Sequence, residues 1–535
     1  SRGLPNGDLD GRLLVTWLAG VHDIGKASPG FAVKARMTRG YDDLLDRMAR
    51  HGLICPPYAV GGGIKLPPHC RIGQAFVTDW LERRHGLHRD IARTYALPVG
   101  MHHGVPPTWG ELEDLRLRRE WTGADVPAWA AVQDELLTVL ATITGAEARF
   151  AQWSTVPLSP EAQVLVSAVI VVADWLASDD MRFPHQDATP SPERARRARI
   201  GHDLRSPLRL RIDDANAEAL MRRRFPEVGA TPTAVQVEAV RIAREVTEPS
   251  LLLIESPTGS GKTEAALLAA EVLAARFGCG GVFVALPTMA TSDAMFERVH
   301  AWTGHLDTTD PSTIFLAHGK ARLNESYRGI GPGARITGIN AAEREFGDLD
   351  DVREAAIVSS WLNGRRRGVL ANIVVGTIDQ ALFGGLKSRF VALRHLGLAG
   401  KVVIVDEVHA ADDYMRTYLV RVLECLVVLA VVALERHHVD ALVAAIVALA
   451  ALRRPPPHAR EQDDEQGDTR AKRKRASAQK ADGGHDRSFP LHKSFVKGRV
   501  ALTSVKAAAD HGYPMSRRWL PDARTHRHHR EEGVT

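Results

Sequence analysis

The stretch LLLIESPTGSGKTEAAL, residues 251–267, constrains the fold of this chain more than any other. An apolar run enters a glycine-rich turn and a helical pattern leaves it, the arrangement in which main-chain N–H groups and a helix N-terminus face bound phosphates. Thr258, Gly259, Ser260 and Gly261 would cradle the nucleotide, Lys262 would reach its β- and γ-phosphates, and Thr263 would hold the magnesium of Mg-ATP. Ser256 stands where the general pattern has its first glycine, a position that only turns the chain. A plain strand-to-helix turn needs glycine but not Gly-Lys-Thr in register, so the phosphate-binding reading is preferred.

Such a loop belongs to a parallel sheet. The short apolar runs GVFVAL, TIFLAH, NIVVGT and KVVIVDE alternate with helical segments such as KTEAALLAAEVLAARFG, the signature of a parallel α/β sheet over 201–425. At the end of KVVIVDE, Asp406 would bind magnesium through water and Glu407 would orient the attacking water. A lone acidic pair at a strand end can equally be a helix N-cap; beside a P-loop the catalytic reading is preferred.

Residues 1–200 have a different texture. Leu14, Trp17, Leu18 and Val21 fall at helical spacing, and EAQVLVSAVIVVADWLAS is apolar on most faces, so an all-α domain is expected. A Pro- and Arg-rich linker is expected near 185–215, and a charged, disordered stretch at about 455–487 within an irregular C-terminal segment, 426–535. No run of 18 apolar residues occurs, and Cys55, Cys70, Cys279 and Cys425 are scattered, so a soluble protein of the cytoplasm without membrane contact or a thiolate zinc site is expected. The formal charge of +5 is in keeping with a nucleic-acid partner without requiring one.

The order of TPTAVQ, the P-loop, ALPTMATSDAMFERV, VVGTIDQAL and DEVH resembles the first RecA-like domain of a superfamily 2, DEAD/DEAH-type helicase. The wording of LAHGKARL and LAGKVVIVDEVHAADDYM is more particular. With the rest, it resembles the CRISPR-associated helicase-nuclease of type I systems, an HD nuclease fused to such a helicase, over roughly residues 10 to 420. The resemblance implies that Gln236 reads adenine and that Thr288 and Thr377 grip the sugar-phosphate backbone of single-stranded DNA. Each threonine is open to the alternative of an ordinary N-cap. The resemblance also implies ATP-driven 3′ to 5′ unwinding and recruitment, as a monomer, by an RNA-guided CRISPR surveillance complex in which guide pairing reads the sequence.

Three His-Asp pairs compete for the nuclease chemistry. His202-Asp203 falls in the linker and His485-Asp486 in the polar tail, whereas His22 continues the row of Leu14 and Leu18 at the edge of a buried helix face. His69, His102, His103 and Asp174 are further candidates, Asp174 because a carboxylate inside VLVSAVIVVADWLA is costly to bury without a cation or hydrogen bonds. The resemblance assigns these residues to a two-metal site: Asp23 bridging, His22 and Asp174 on one ion, and His69, His102 and His103 mainly on the other. Mixed imidazole and carboxylate ligands suit divalent manganese, iron, cobalt or nickel. Lys26, one turn beyond His22, would steady the scissile phosphate, or be a solvated helix-face lysine.

The chain departs from the family's pattern at both ends. No histidine precedes His22 where the family has a further ligand, for which truncation before residue 1 is the expected cause. After DDYMRTYL no Ser-Ala-Thr motif or second RecA-like domain follows, and a frameshifted or prematurely ended reading frame is expected, with ATPase and helicase activity reduced or lost. The apolar runs between 422 and 453 would lie against the missing domain or complete the sheet irregularly. Rival readings are an HD nucleotide phosphohydrolase with a regulatory P-loop and an inactive remnant.

Overall fold

In a computed structural model of the chain, the described residues are 4–34, 42–57, 66–178, 208, 210, 216–229, 231–248, 250–308, 312–329, 356–357, 367–386, 388, 390–410, 412–434, 446–450 and 499–504. The pairs His202-Asp203 and His485-Asp486, the polar stretch 455–487, most of the expected linker and the boundary at 200 lie outside them.

The N-terminal portion is helical, as expected. Its principal helices are α1 (Asp8–Val21), α2 (His69–His85), α3 (Arg89–Met101), α4 (Pro127–Thr144) and α5 (Pro160–Ala177). The apolar row of α1 is buried: Trp17, Leu18 and Val21 join Val77, Trp80 and Leu81 of α2 and Tyr95 and Val99 of α3 in one core. The Trp17 ring lies 5.8 Å from Trp80 and 4.9 Å from Phe150, the latter edge to face, which is the arrangement aromatic quadrupoles favour. Helix α5 starts on a Ser159 cap, whose side chain accepts from the Ala162 N–H, followed by Pro160. By length and composition it is the one helix among the described residues that could cross a membrane. It packs instead against α1, α3 and the second portion.

That second portion is the expected α/β domain. Strands β1 (Ser250–Glu255), β2 (Gly281–Leu286), β3 (Ser312–Ala317), β4 (Ala356–Ile357), β5 (Ile373–Thr377), β6 (Lys401–Val405), β7 (Ile446–Ala450) and β8 (Arg499–Ser504) share a sheet of order β4-β3-β5-β2-β6-β7-β1-β8. Its principal helices are α6 (Ala234–Glu245), α7 (Lys262–Phe277), α8 (Met289–Gly304), α9 (Ile378–Leu382), α10 (Val391–Ala399) and α11 (Asp413–Leu434). Strands β2, β3, β5 and β6 are buried along their whole length, as unbroken Val/Ile/Leu runs in a two-faced parallel sheet must be.

Two short described strands of the C-terminal segment join the sheet, the second of the two alternatives open for its apolar runs. Strand β7 (Ile446–Ala450) inserts between β6 and β1, parallel to both, with Ile446 opposite Val403 and Leu251. Strand β8 (Arg499–Ser504) closes the edge antiparallel to β1. The expected division at 425 therefore falls inside α11, and both later strands join the sheet of the preceding domain. The physical reason is that AAIVALAA has the unbroken apolar character of a central parallel strand, which periodicity does not distinguish from a helix.

The two portions touch through α5 and α10. Met101 and Ala168 pack with Val391 and Ala392, and Val171 packs with Phe390 and Leu393.

Candidate metal centre and nucleotide loop

The candidate metal ligands are delivered by helix ends. His22 is the C-cap of α1 and Asp23 follows it, His69 opens α2, His102 is the C-cap of α3 with His103 next, and Asp174 projects from the last turn of α5. Helix α1 stops at Val21, and a short 3₁₀ turn over Ile24–Lys26 replaces the continued helix of the sequence reading. That turn lies directly on α2: a Cβ at Gly25 would sit 1.9 Å from the His69 carbonyl oxygen and 2.6 Å from the Gly73 nitrogen. Glycine is thus the residue that lets Asp23 approach His69.

The side chains converge on Asp23. Its Oδ1 is 3.1 Å from His69 Nε2 and 3.8 Å from His102 Nε2, and its Oδ2 is 3.4 Å from His22 Nε2 and 2.6 Å from the Lys26 ammonium. His22 Nε2 also lies 3.5 Å from Asp174 Oδ1, and His103 Nε2 lies 3.0 Å from His69 Nε2. Two groups of ligand atoms, His69-His102-His103 and His22-Asp23-His102, are each gathered within 4.8 Å and share His102.

Backbone bonds fix how the two buried imidazoles present themselves. His22 Nδ1 is 2.7 Å from the Ala19 carbonyl and His102 Nδ1 is 2.6 Å from the Val99 carbonyl, so in each ring the Nδ1–H is the donor. The opposite atoms are buried, His22 Nε2 facing the carboxylates of Asp23 and Asp174 and His102 Nε2 without a hydrogen-bond partner. Tying one ring nitrogen to a carbonyl is how metal-ligating histidines are oriented. This donor set of imidazole nitrogens and carboxylate oxygens fits divalent transition metals.

The charges agree. Burial opposes ionisation of Asp23, yet His22, His69 and Lys26 overcome it and hold the carboxyl far below the usual range. Burial likewise opposes charge on His22, but Asp174 and Asp23 outweigh it and raise the ring to about 10. His102, with less carboxylate help, is pushed down by burial to about 4. The carboxylates thus require positive charge beside them, from an imidazolium or a metal cation.

The P-loop lies where its sequence predicts, between β1 and α7, with Thr258 to Gly261 in the turn and Lys262 and Thr263 opening the helix. The Lys262 ammonium donates to the Ser256 carbonyl at 2.9 Å, across the mouth of the loop. Asp406 and Glu407 follow β6; Asp406 Oδ1 accepts from the Glu407 N–H at 2.8 Å. Burial and the neighbouring Glu407 raise the Asp406 carboxyl. Glu407 holds a left-handed backbone at φ 54°, uncommon for a side-chain-bearing residue and concentrated at functional sites. Gln236 is buried with its amide engaged inside the protein: Oε1 accepts from Thr233 N–H at 2.8 Å and Nε2 donates to the Gly261 carbonyl at 3.2 Å. Thr288 caps α8, its hydroxyl accepting from Thr291 N–H at 3.1 Å, and is exposed; Thr377 precedes α9 and is buried.

Sequence reasoning passed over Arg298, which pairs with Glu264 beside the loop and lies 3.4 Å from the Thr263 hydroxyl. It also missed Phe31, whose ring meets His69 edge to face at 5.6 Å and walls one side of the metal centre. Neither carries a local signal, since both depend on elements brought together by the fold.

Comparison with known proteins finds one group of similar chains. Residues 1–183 match the family model described as Cas3, HD domain. A CRISPR-associated nuclease/helicase Cas3 of Streptococcus thermophilus is 31% identical over 76% of this chain and 43% of its own length. A CRISPR-associated endonuclease/helicase Cas3 of Thermus thermophilus is 34% identical over 74% of this chain and 40% of its own length. Among solved structures, T. fusca Cas3 with ATP superposes with a TM-score of 0.61 at 25% identity, over 84% of this chain and 45% of that one. The chain spans about two fifths of the length of the curated relatives it matches. By its HD match over residues 1–183 and its similarity along about three quarters of its length, the chain resembles the Cas3 nuclease/helicases.

Proposed function

We propose that this chain carries the nuclease centre and the first motor domain of a type I CRISPR nuclease-helicase, cutting single-stranded DNA at the HD site and binding Mg-ATP at the P-loop. The observation that carries this reading is the convergence of buried Nε2 atoms on carboxylates, His22 on Asp23 and Asp174 and His102 on Asp23, with His69 and His103 alongside. His22, Asp23, His69, His102, His103 and Asp174 would hold two divalent ions, manganese, iron, cobalt or nickel, with Asp23 shared between them. Such ions, when bound, supply an activated water and a counter-charge for the leaving oxygen of a phosphodiester.

The chain's own residues do the rest. The carbonyls of Ala19 and Val99 fix the tautomers of His22 and His102. Lys26, half exposed beside Asp23, draws in the scissile phosphate. In the motor domain Lys262 leaves the Ser256 carbonyl for the nucleotide phosphates, Thr263 and Asp406 hold magnesium, and Glu407 orients water. Gln236, bonded to the Gly261 carbonyl, would read the adenine, and Thr288, after β2, and Thr377, at the end of β5, would grip the DNA backbone. The intact protein would unwind 3′ to 5′, act as a monomer in the cytoplasm, and be recruited by an RNA-guided surveillance complex.

The test is circular single-stranded DNA incubated with the protein and manganese. Nicking that Asp23→Ala abolishes, and that His202→Ala and His485→Ala leave intact, is expected. Hydrolysis of free nucleotides without DNA cutting would show a nucleotide phosphohydrolase instead, and neither activity an inactive remnant.

A further inference from the structure

We propose that Phe390, in the motor portion, is a positioning residue for the metal centre: it fixes the backbone that presents His102 and His103 and packs on the tryptophan next to Asp174. This rests on the metal-centre reading above. The Phe390 N–H donates to the Gly104 carbonyl at 3.0 Å, directly after His102-His103. Gly104 has a φ of +97°, and a Cβ there would lie 2.5 Å from the Phe390 nitrogen and 3.0 Å from its ring. Phe390 itself holds a φ of 64°. A bulky residue keeps such a backbone only where its surroundings over-determine it.

Those surroundings reach both ligand motifs. The Phe390 ring lies 5.5 Å from Trp175, which follows Asp174, and the Arg367 guanidinium lies over Trp175 at 5.1 Å. Met101, immediately before His102, packs against Val391 and Ala392 of α10. His103 presents its Nε2 to His69 at 3.0 Å from a turn whose last peptide is anchored on Phe390, so rotating that peptide redirects the ring. The nuclease geometry is therefore set in part by a residue outside the HD domain.

The test uses the whole chain with cobalt(II) alone as probe, read by its visible d–d absorption. Phe390→Gly keeps the N–H and suits the left-handed backbone while removing the ring. Outer-shell partners typically change metal affinity about 10–100-fold, so Phe390→Gly is expected to weaken cobalt binding by about that factor and alter the band shape. Phe390→Tyr should restore both, and nucleotide binding at the P-loop should not change. Circular dichroism melting checks folding; should Phe390→Gly not fold, Trp175→Leu removes the facing ring and is expected to give the same loss. Cobalt titrations and bands identical in Phe390→Gly and the unaltered chain would overturn the proposal, as would failure of Phe390→Tyr to restore them. An unaltered chain that binds no cobalt would overturn the metal-centre reading and this one with it.

Discussion

His102 is 1% exposed, and its ring is oriented by a single bond to the Val99 carbonyl. Because it belongs to both groups of ligand atoms, His102→Ala should weaken manganese binding at the whole centre, by more than the roughly 10–100-fold typical of losing an outer-shell partner; isothermal titration measures it. Asp174 was legible in the sequence because a carboxylate inside apolar helical text is costly without a partner, whereas the histidines were singled out by their resemblance to the family's pattern. The ligands' mutual distances and tautomers were not legible, since the fixing carbonyls and the contact at Gly25 depend on how α1 meets α2. Another residue-scale prediction concerns Lys401. Its buried ammonium donates to the carbonyls of Val369 and Gly397 beside a cavity of about 230 Å³, and burial pushes it down from 10.5 to about 7. Between those values the unfolded chain holds a proton that the folded chain lacks, so stability should rise with pH from about 7 to 10.5 and be unaffected by this group below about 7. Denaturant melts across that range should show the slope, and Lys401→Met should flatten it.

At the level of elements, the contact of the 3₁₀ turn with α2 is the joint on which the metal centre depends. Gly25→Ala must push α2 away, since its Cβ would overlap the His69 carbonyl. Overpacking of this kind costs about 1–3 kcal/mol. The expected outcome is a melting temperature lowered by several degrees together with weakened metal binding; unchanged binding in a folded variant would mean that His69 is not held by this joint. Five strands of the sheet and the helices α1 and α5 could be read from apolar runs and helical spacing. Strand β7 was legible only as one of two alternatives, since AAIVALAA looks alike as helix or strand, and β8 was not, since the antiparallel edge strand carries no turn signal tying it to β1, far earlier in the chain.

For the whole molecule, the P-loop wall and the metal centre are joined through α5, α10 and Phe390, while the chain spans about two fifths of its curated relatives. Lys262 donates to the Ser256 carbonyl across the phosphate-binding turn, so a fluorescent ATP analogue should bind and Lys262→Ala should abolish that binding; unchanged binding in Lys262→Ala would contradict the nucleotide reading of the loop. The central claim, a two-metal nuclease centre built on Asp23, is tested most directly by a crystal structure of the chain soaked in manganese, with anomalous scattering to locate the ions. Two manganese ions about 3.5–4 Å apart, bridged by Asp23 and sharing out the five neighbouring ligands, are predicted. No ion, or ions bound without Asp23, would contradict it.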